Sequence, residues 1–137
     1  MTKVSTGSAK QKFMDSIGAK LIKANPGKCE ILLPFREDLT QQHGFLHGGL
    51  IGSIADNASG FAAYSLMGED YQPLTVEFKI NFLRSTKPLD VIARAEVIYA
   101  GRTIFHVRSD VLTSGIGEEK LIATALVTIK ACKVKEI

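Results

Sequence analysis

Between His47 and Glu69 the chain runs through twenty-one residues, GGLIGSIADNASGFAAYSLMG, in which Asp56 is the one ionisable side chain apart from the Tyr64 phenol. Leu50, Ile51, Ile54, Ala55, Ala58, Phe61, Ala62 and Leu66 recur there at helical spacing, so one face is continuously apolar. The other face gathers Gly52, Ser53, Asp56, Ser59, Gly60 and Ala63, without the Lys, Glu and Arg of a solvated surface. The pattern predicts a helix that starts at Gly48-Gly49 and is buried nearly all round, with a sheet or a second chain close against its small residues.

One carboxylate on such a helix is costly unless it is hydrogen-bonded or put to use. Asp56 is therefore either bonded to a neighbouring backbone group or a chemical participant. The start of the helix offers a second element. Its first N–H groups have no partner inside the helix, the macrodipole places partial positive charge there, and two glycines leave the main chain open to a ligand oxygen. An oxyanion hole is built in this way.

Gly48 and Asp56 are eight residues apart, which is about 12 Å along a helix at 1.5 Å per residue. A donor and an attacking group that serve one carbonyl must each lie about 3 Å from it. One copy of the helix cannot supply both. If both residues act, Gly48 of one chain faces Asp56 of another.

The run Gln41, Gly44, His47-Gly48-Gly49, Asp56-Asn57 resembles the signature of the PaaI-type hotdog-fold acyl-CoA thioesterases. In that family Asn or Gln, then Gly, then His-Gly-Gly precede an acidic residue on the central helix, and the similarity in layout extends from about residue 28 to the C-terminus. The resemblance implies that the Gly48 N–H polarises the thioester carbonyl, that Gln41 assists or orients the water, and that Asp56 of the partner subunit is nucleophile or general base. Thr75 falls where relatives often carry a Ser or Thr that helps hold the water. Gln41 departs from the Asn found in many relatives.

By the same resemblance His47 supports the Gly48 peptide, and Gly49 and Asn57 beside these positions contact substrate. Arg84, Lys87 and Arg102 fall where relatives place the nucleotide end of coenzyme A, whose phosphates need cations. Coenzyme A is part of the substrate, so no cofactor is implied. The assembly implied is a homodimer at minimum, with a dimer of dimers expected.

With 137 residues the chain is long enough for one domain that buries about two-thirds of its unfolded surface. The reading assigns residues 1–8 to a flexible tail and 9–137 to a single domain. A net charge of +3 does not argue for nucleic acid, and no apolar run reaches the length of a membrane span. MTKVSTGSAK lacks the hydrophobic core of a signal peptide, so a cytoplasmic location is expected. Cys29 and Cys132 fit neither a metal nor a redox spacing. His43 and His47 lack a third ligand, so no metal is expected.

From about Ala9 to Ala19, Phe13, Met14 and Ile17 predict a short amphipathic helix. Leu21–Ala24 and Lys28–Phe35 read as a hairpin around Asn25-Pro26-Gly27, with Cys29, Ile31, Leu33 and Phe35 on one face. The central helix is expected to end near Met67 with Gly68 as its cap, and Pro73 to close the loop. Leu74, Val76, Phe78, Ile80 and Phe82 then alternate with Thr75, Glu77, Lys79 and Asn81. Strands at 91–100, 102–113 and about 120–133 complete an antiparallel meander.

One buried helix followed by a meander gives an α+β layering with the sheet curled around the helix. The hotdog assignment comes from the resemblance. Two other functions compete with thioester hydrolysis. A hydratase or dehydratase on the same fold would need its own acid–base pair, usually with His, and a non-catalytic acyl-CoA-binding module would gain nothing from Asp56.

Overall fold

The computed structural model describes residues 3–85, 88–115 and 117–137. Helices α1 (Lys3–Ala9) and α2 (Lys12–Ile17) lead into strands β1 (Lys20–Asn25) and β2 (Lys28–Leu33), and the long helix α3 follows at Gly48–Tyr64. Strands β3 (Tyr71–Phe82), β4 (Asp90–Ala100), β5 (Ile104–Ser114) and β6 (Leu121–Lys133) complete the chain. Six strands form one antiparallel sheet in the order β1-β2-β4-β5-β6-β3, and α3 packs against every strand of it. The expected α+β architecture, a sheet around one central helix, is the one observed.

Periodicity placed the core well. Ile54, Ala55, Ala58 and Ala62 of α3 are fully buried, and Leu50, Ile51 and Phe61 nearly so. Opposite them the sheet presents Ala93, Ala95, Ala123 and Ala125 among Val107, Val111, Val127 and Ile129. Small side chains under the helix let it sit close to the sheet, and Phe61 and Phe105 are the large aromatic residues of the core among the described residues.

Several expectations change, each for a tertiary reason. The segment assigned to a tail, 1–8, is helical from Lys3, in a helix that runs to Ala9: Val4 is buried, Gly7 abuts the Phe61 ring and the Lys3 ammonium donates to the Met67 carbonyl at 2.6 Å. These contacts outweigh the polar local composition. The short helix expected over 9–19 is present as α2, confined to Lys12–Ile17. Helix α3 ends at Tyr64, where Ser65 Oγ donates to the Ala62 carbonyl at 2.7 Å and accepts from Gly27 N–H at 2.8 Å, and Gly68 has no left-handed backbone. Gly27 itself, at φ 74°, turns the β1–β2 hairpin as its position after Asn25-Pro26 predicts.

Pro73 lies inside β3 rather than in the loop before it. Its missing N–H is tolerated because β3 is an edge strand, hydrogen-bonded only to β6. The meander is confined to β4-β5-β6, and β3 joins its far edge. Phe78 and Phe82 on this edge remain 41% and 55% exposed although both reach α3. No helix among the described residues is long and apolar enough to cross a membrane.

Candidate active site

The loop before α3 is held by its own backbone. Thr40 bridges to Leu46, Gln41 N–H donates to the Phe45 carbonyl at 2.8 Å, and His47 N–H donates to the Leu39 carbonyl at 3.2 Å. Gly44 makes the reversal at φ 86°, a conformation that side chains disfavour, and buried Leu46 anchors the loop to the core. His47 thus arrives at the start of α3 in a fixed pose.

His47 is the N-cap. Its Nδ1 accepts from the Gly49 N–H at 2.9 Å, and its carbonyl takes the N–H groups of Leu50 and Ile51 at 3.0 and 3.3 Å. Of the first four donors of the helix, only the Gly48 N–H has no acceptor among the described residues. Accepting through Nδ1 puts the ring proton on Nε2. His47 was expected to support the Gly48 peptide; its own hydrogen bond is to the neighbouring Gly49 donor. His47→Ala is expected to destabilise the fold by about 1 kcal/mol through the lost cap, and His47→Asn, whose oxygen also caps, to recover most of that in a thermal melt.

Gly48 lies in a cleft of about 350 Å³ with Gln41, Phe45, Phe82, Arg84 and Ser85. A Cβ at Gly48 would stand 3.4 Å from the Phe82 ring. The Gln41 side-chain oxygen accepts from the His43 N–H, so its amide N–H₂ is the end left for other work. Among the described residues Arg84 is the one charged residue lining this cleft, and it also borders a neighbouring recess with Thr113 and Lys120. Lys87 lies outside the described residues. Arg102, in the β4–β5 turn, sits at the opposite end of the sheet from Arg84, so one chain does not bring the two cations together.

Asp56 is two turns further along the same unbroken helix, half-buried, beside the edge strand. Thr75 Oγ1 donates to Asp56 Oδ1 at 2.6 Å. Burial pushes the Asp56 carboxyl up from its usual range, and the Thr75 hydroxyl draws it part of the way back. Simple alternation along β3 turns Thr75 away from Phe78, which would keep it from the helix. A bulge between Thr75 and Glu77 inserts Val76 and changes the phase, so Thr75 shares the helix-facing side with Phe78, Ile80 and Phe82. Asn57 is partly exposed next to Asp56.

The small-residue face, expected to be buried, is covered by the sheet in part. Gly52, Ser59 and Ala63 are buried within the chain, whereas Gly49, Ser53, Asp56, Asn57, Gly60 and Tyr64 form the open stripe of α3. This stripe runs alongside the uncovered aromatic side chains of β3.

Residues 43–120 match the family described as the thioesterase superfamily. The crystal structure of a thioesterase family protein from Silicibacter pomeroyi is 41% identical, covers 96% of each chain and superposes with a TM-score of 0.92. Acyl-coenzyme A thioesterase 13 of Homo sapiens is 32% identical over 75% of this chain and 72% of that protein. The 1,4-dihydroxy-2-naphthoyl-CoA hydrolase of Listeria monocytogenes is 29% identical over 66% of this chain and 74% of that protein. The arrangement of sheet and helix is the hotdog fold of these proteins.

Proposed function

The chain belongs to the thioesterase superfamily and is a thioester hydrolase, and from that premise we propose that it cleaves acyl-CoA thioesters in a site shared by two copies of itself. One observation carries this reading. A single helix holds, at its first residue, an N–H without an acceptor among the described residues and, two turns away, a half-buried carboxylate, about 12 Å apart, which is too far for both to reach one carbonyl.

A second copy packed antiparallel against the open stripe of α3 resolves the distance twice over. If Gly48 faces Asp56 in both directions, the twofold axis crosses the helix at the level of residue 52, where the small side chain of Ser53 on the open stripe leaves room for close approach. The same copy would cover Phe78 and Phe82 and satisfy the open edge of β3.

In that site the thioester oxygen lies on the Gly48 N–H, at the positive end of the helix, and the amide stabilises the negative charge as water adds. Asp56 of the other chain takes the proton of that water. Thr75 occupies Oδ1, so Oδ2 is the oxygen turned to the water. The tetrahedral intermediate then expels the coenzyme A thiolate, which is stable enough to leave without a dedicated acid. The Gln41 amide helps to orient the water or the oxyanion, and Arg84 faces the phosphates of the nucleotide.

Incubation with saturated and 2-enoyl acyl-CoA, read as free thiol against hydrated product, tests the reaction. Thiol release from both without hydration is expected; hydration without thiol release would replace this reading with the hydratase one. The rate should also fall on acidification at a higher pH than an ordinary carboxylate gives, because a raised carboxyl takes up its proton earlier. Thr75→Val removes the hydrogen bond that favours the ionised form and should move this acid limb to higher pH, with Thr75→Ser restoring it. An unmoved limb would separate Thr75 from the titrating group.

A further inference from the structure

A second cavity, of about 620 Å³, opens beyond Asp56 on the same side of α3. Phe61, Tyr64, Gln72 and Pro73 line it from α3 and β3, and Lys3, Lys10 and Gln11 line it from the N-terminal segment. Tyr64 is two helical turns from Asp56, about 12 Å, and Pro73 is two strand residues from Thr75, about 7 Å. Both lie on the faces that carry Asp56 and Thr75. A group bonded to a carbonyl held at Asp56 therefore reaches this cavity if it extends away from the cleft beside Gly48.

Its chemistry is unlike that of a slot for a hydrocarbon tail. Gln72 Nε2 donates to the Tyr64 hydroxyl at 3.2 Å, and the Lys3 ammonium is committed to the Met67 carbonyl and the Tyr64 ring. Lys10 carries a positive charge at the rim with no hydrogen bond or ion pair from its side chain among the described residues, and no Asp or Glu lines the cavity. A methyl-terminated chain would strip water from two glutamine amides and give nothing in return. A terminal carboxylate would gain a charge-assisted hydrogen bond from Lys10 and donors from the amides.

We propose that this cavity receives the far end of the acyl group and that Lys10 makes the enzyme favour acyl-CoA thioesters whose chain ends in a carboxylate. The proposal rests on the thioesterase reading for its kinetics but not for its binding. The test compares octanoyl-CoA with its ω-carboxy counterpart, suberoyl-CoA. The ratio of their kcat/KM values should favour the carboxylated substrate by about tenfold, fall by about tenfold or more in Lys10→Glu, and be retained in Lys10→Arg. A ratio near one, or one that Lys10→Glu leaves unchanged, overturns the proposal. Calorimetric binding of the same two thioesters to Asp56→Asn protein separates the two failures. Tighter binding of suberoyl-CoA that disappears on adding Lys10→Glu supports the subsite even if the wild type hydrolyses neither compound, and equal binding removes the subsite even if both are hydrolysed.

Discussion

Gly48→Pro is expected to lower kcat by about 10²- to 10³-fold, the usual loss for one oxyanion donor, and to leave the melting temperature close to that of the wild type. Proline deletes the N–H and nothing else that the helix uses there. Gly48 is the first helical residue, a position proline favours, and its N–H serves no acceptor among the described residues. His47 before it is at φ −61° and ψ 134°, the extended conformation that a following proline requires. Phe82, the side chain the new ring would meet, is half exposed and free to move. A variant that melts normally and turns over normally would show that this amide does not hold the carbonyl.

Asp56→Asn should cost more in turnover, about 10²- to 10⁴-fold for loss of a general base, with little change in substrate affinity. Its effect on stability runs the other way. The Asp56 carboxyl is raised in the fold, so burial penalises its ionised form. The stability tied to this group is complete below the unfolded value and is lost as pH rises through the folded one. At neutral pH the wild type bears that penalty and the asparagine variant does not. The variant should therefore melt no lower than the wild type near pH 7, and the gap should close on acidification. A catalytically dead protein that melts markedly lower would make Asp56 a structural residue.

The parts of this molecule that were legible in its sequence are those governed by a short period. The apolar positions of α3 announced the core because a 3.6-residue repeat leaves few alternatives, and the strands from Asp90 onward showed themselves by turn residues at regular intervals. The glycine pair after His47 marked the helix start because an exposed amide needs that chemistry. What stayed hidden depends on contacts between distant residues. Strict alternation along β3 predicts the wrong side for Thr75, since the bulge at Val76 leaves no composition signal. The helical wheel grouped Gly52, Ser53, Ser59, Gly60 and Ala63 on one face to be covered by a sheet or a second chain; the sheet took Gly52, Ser59 and Ala63, and nothing in the pattern tells them from Ser53 and Gly60, which it left open. Val4 looked like part of a tail because its segment is held by residues far along the chain, Phe61 against Gly7 and Met67 bonded to Lys3.

The shared site is the claim on which the rest depends, and mixed dimers test it most directly. Gly48→Pro and Asp56→Asn chains, each nearly inactive alone, are unfolded together, refolded at equal concentrations and assayed for thiol release. Random pairing makes half of the dimers mixed, and each mixed dimer keeps one intact site of two, so activity should return to about a quarter of the wild-type value. A mixture no more active than the mean of the two separate variants would mean that Gly48 and Asp56 do not meet across chains.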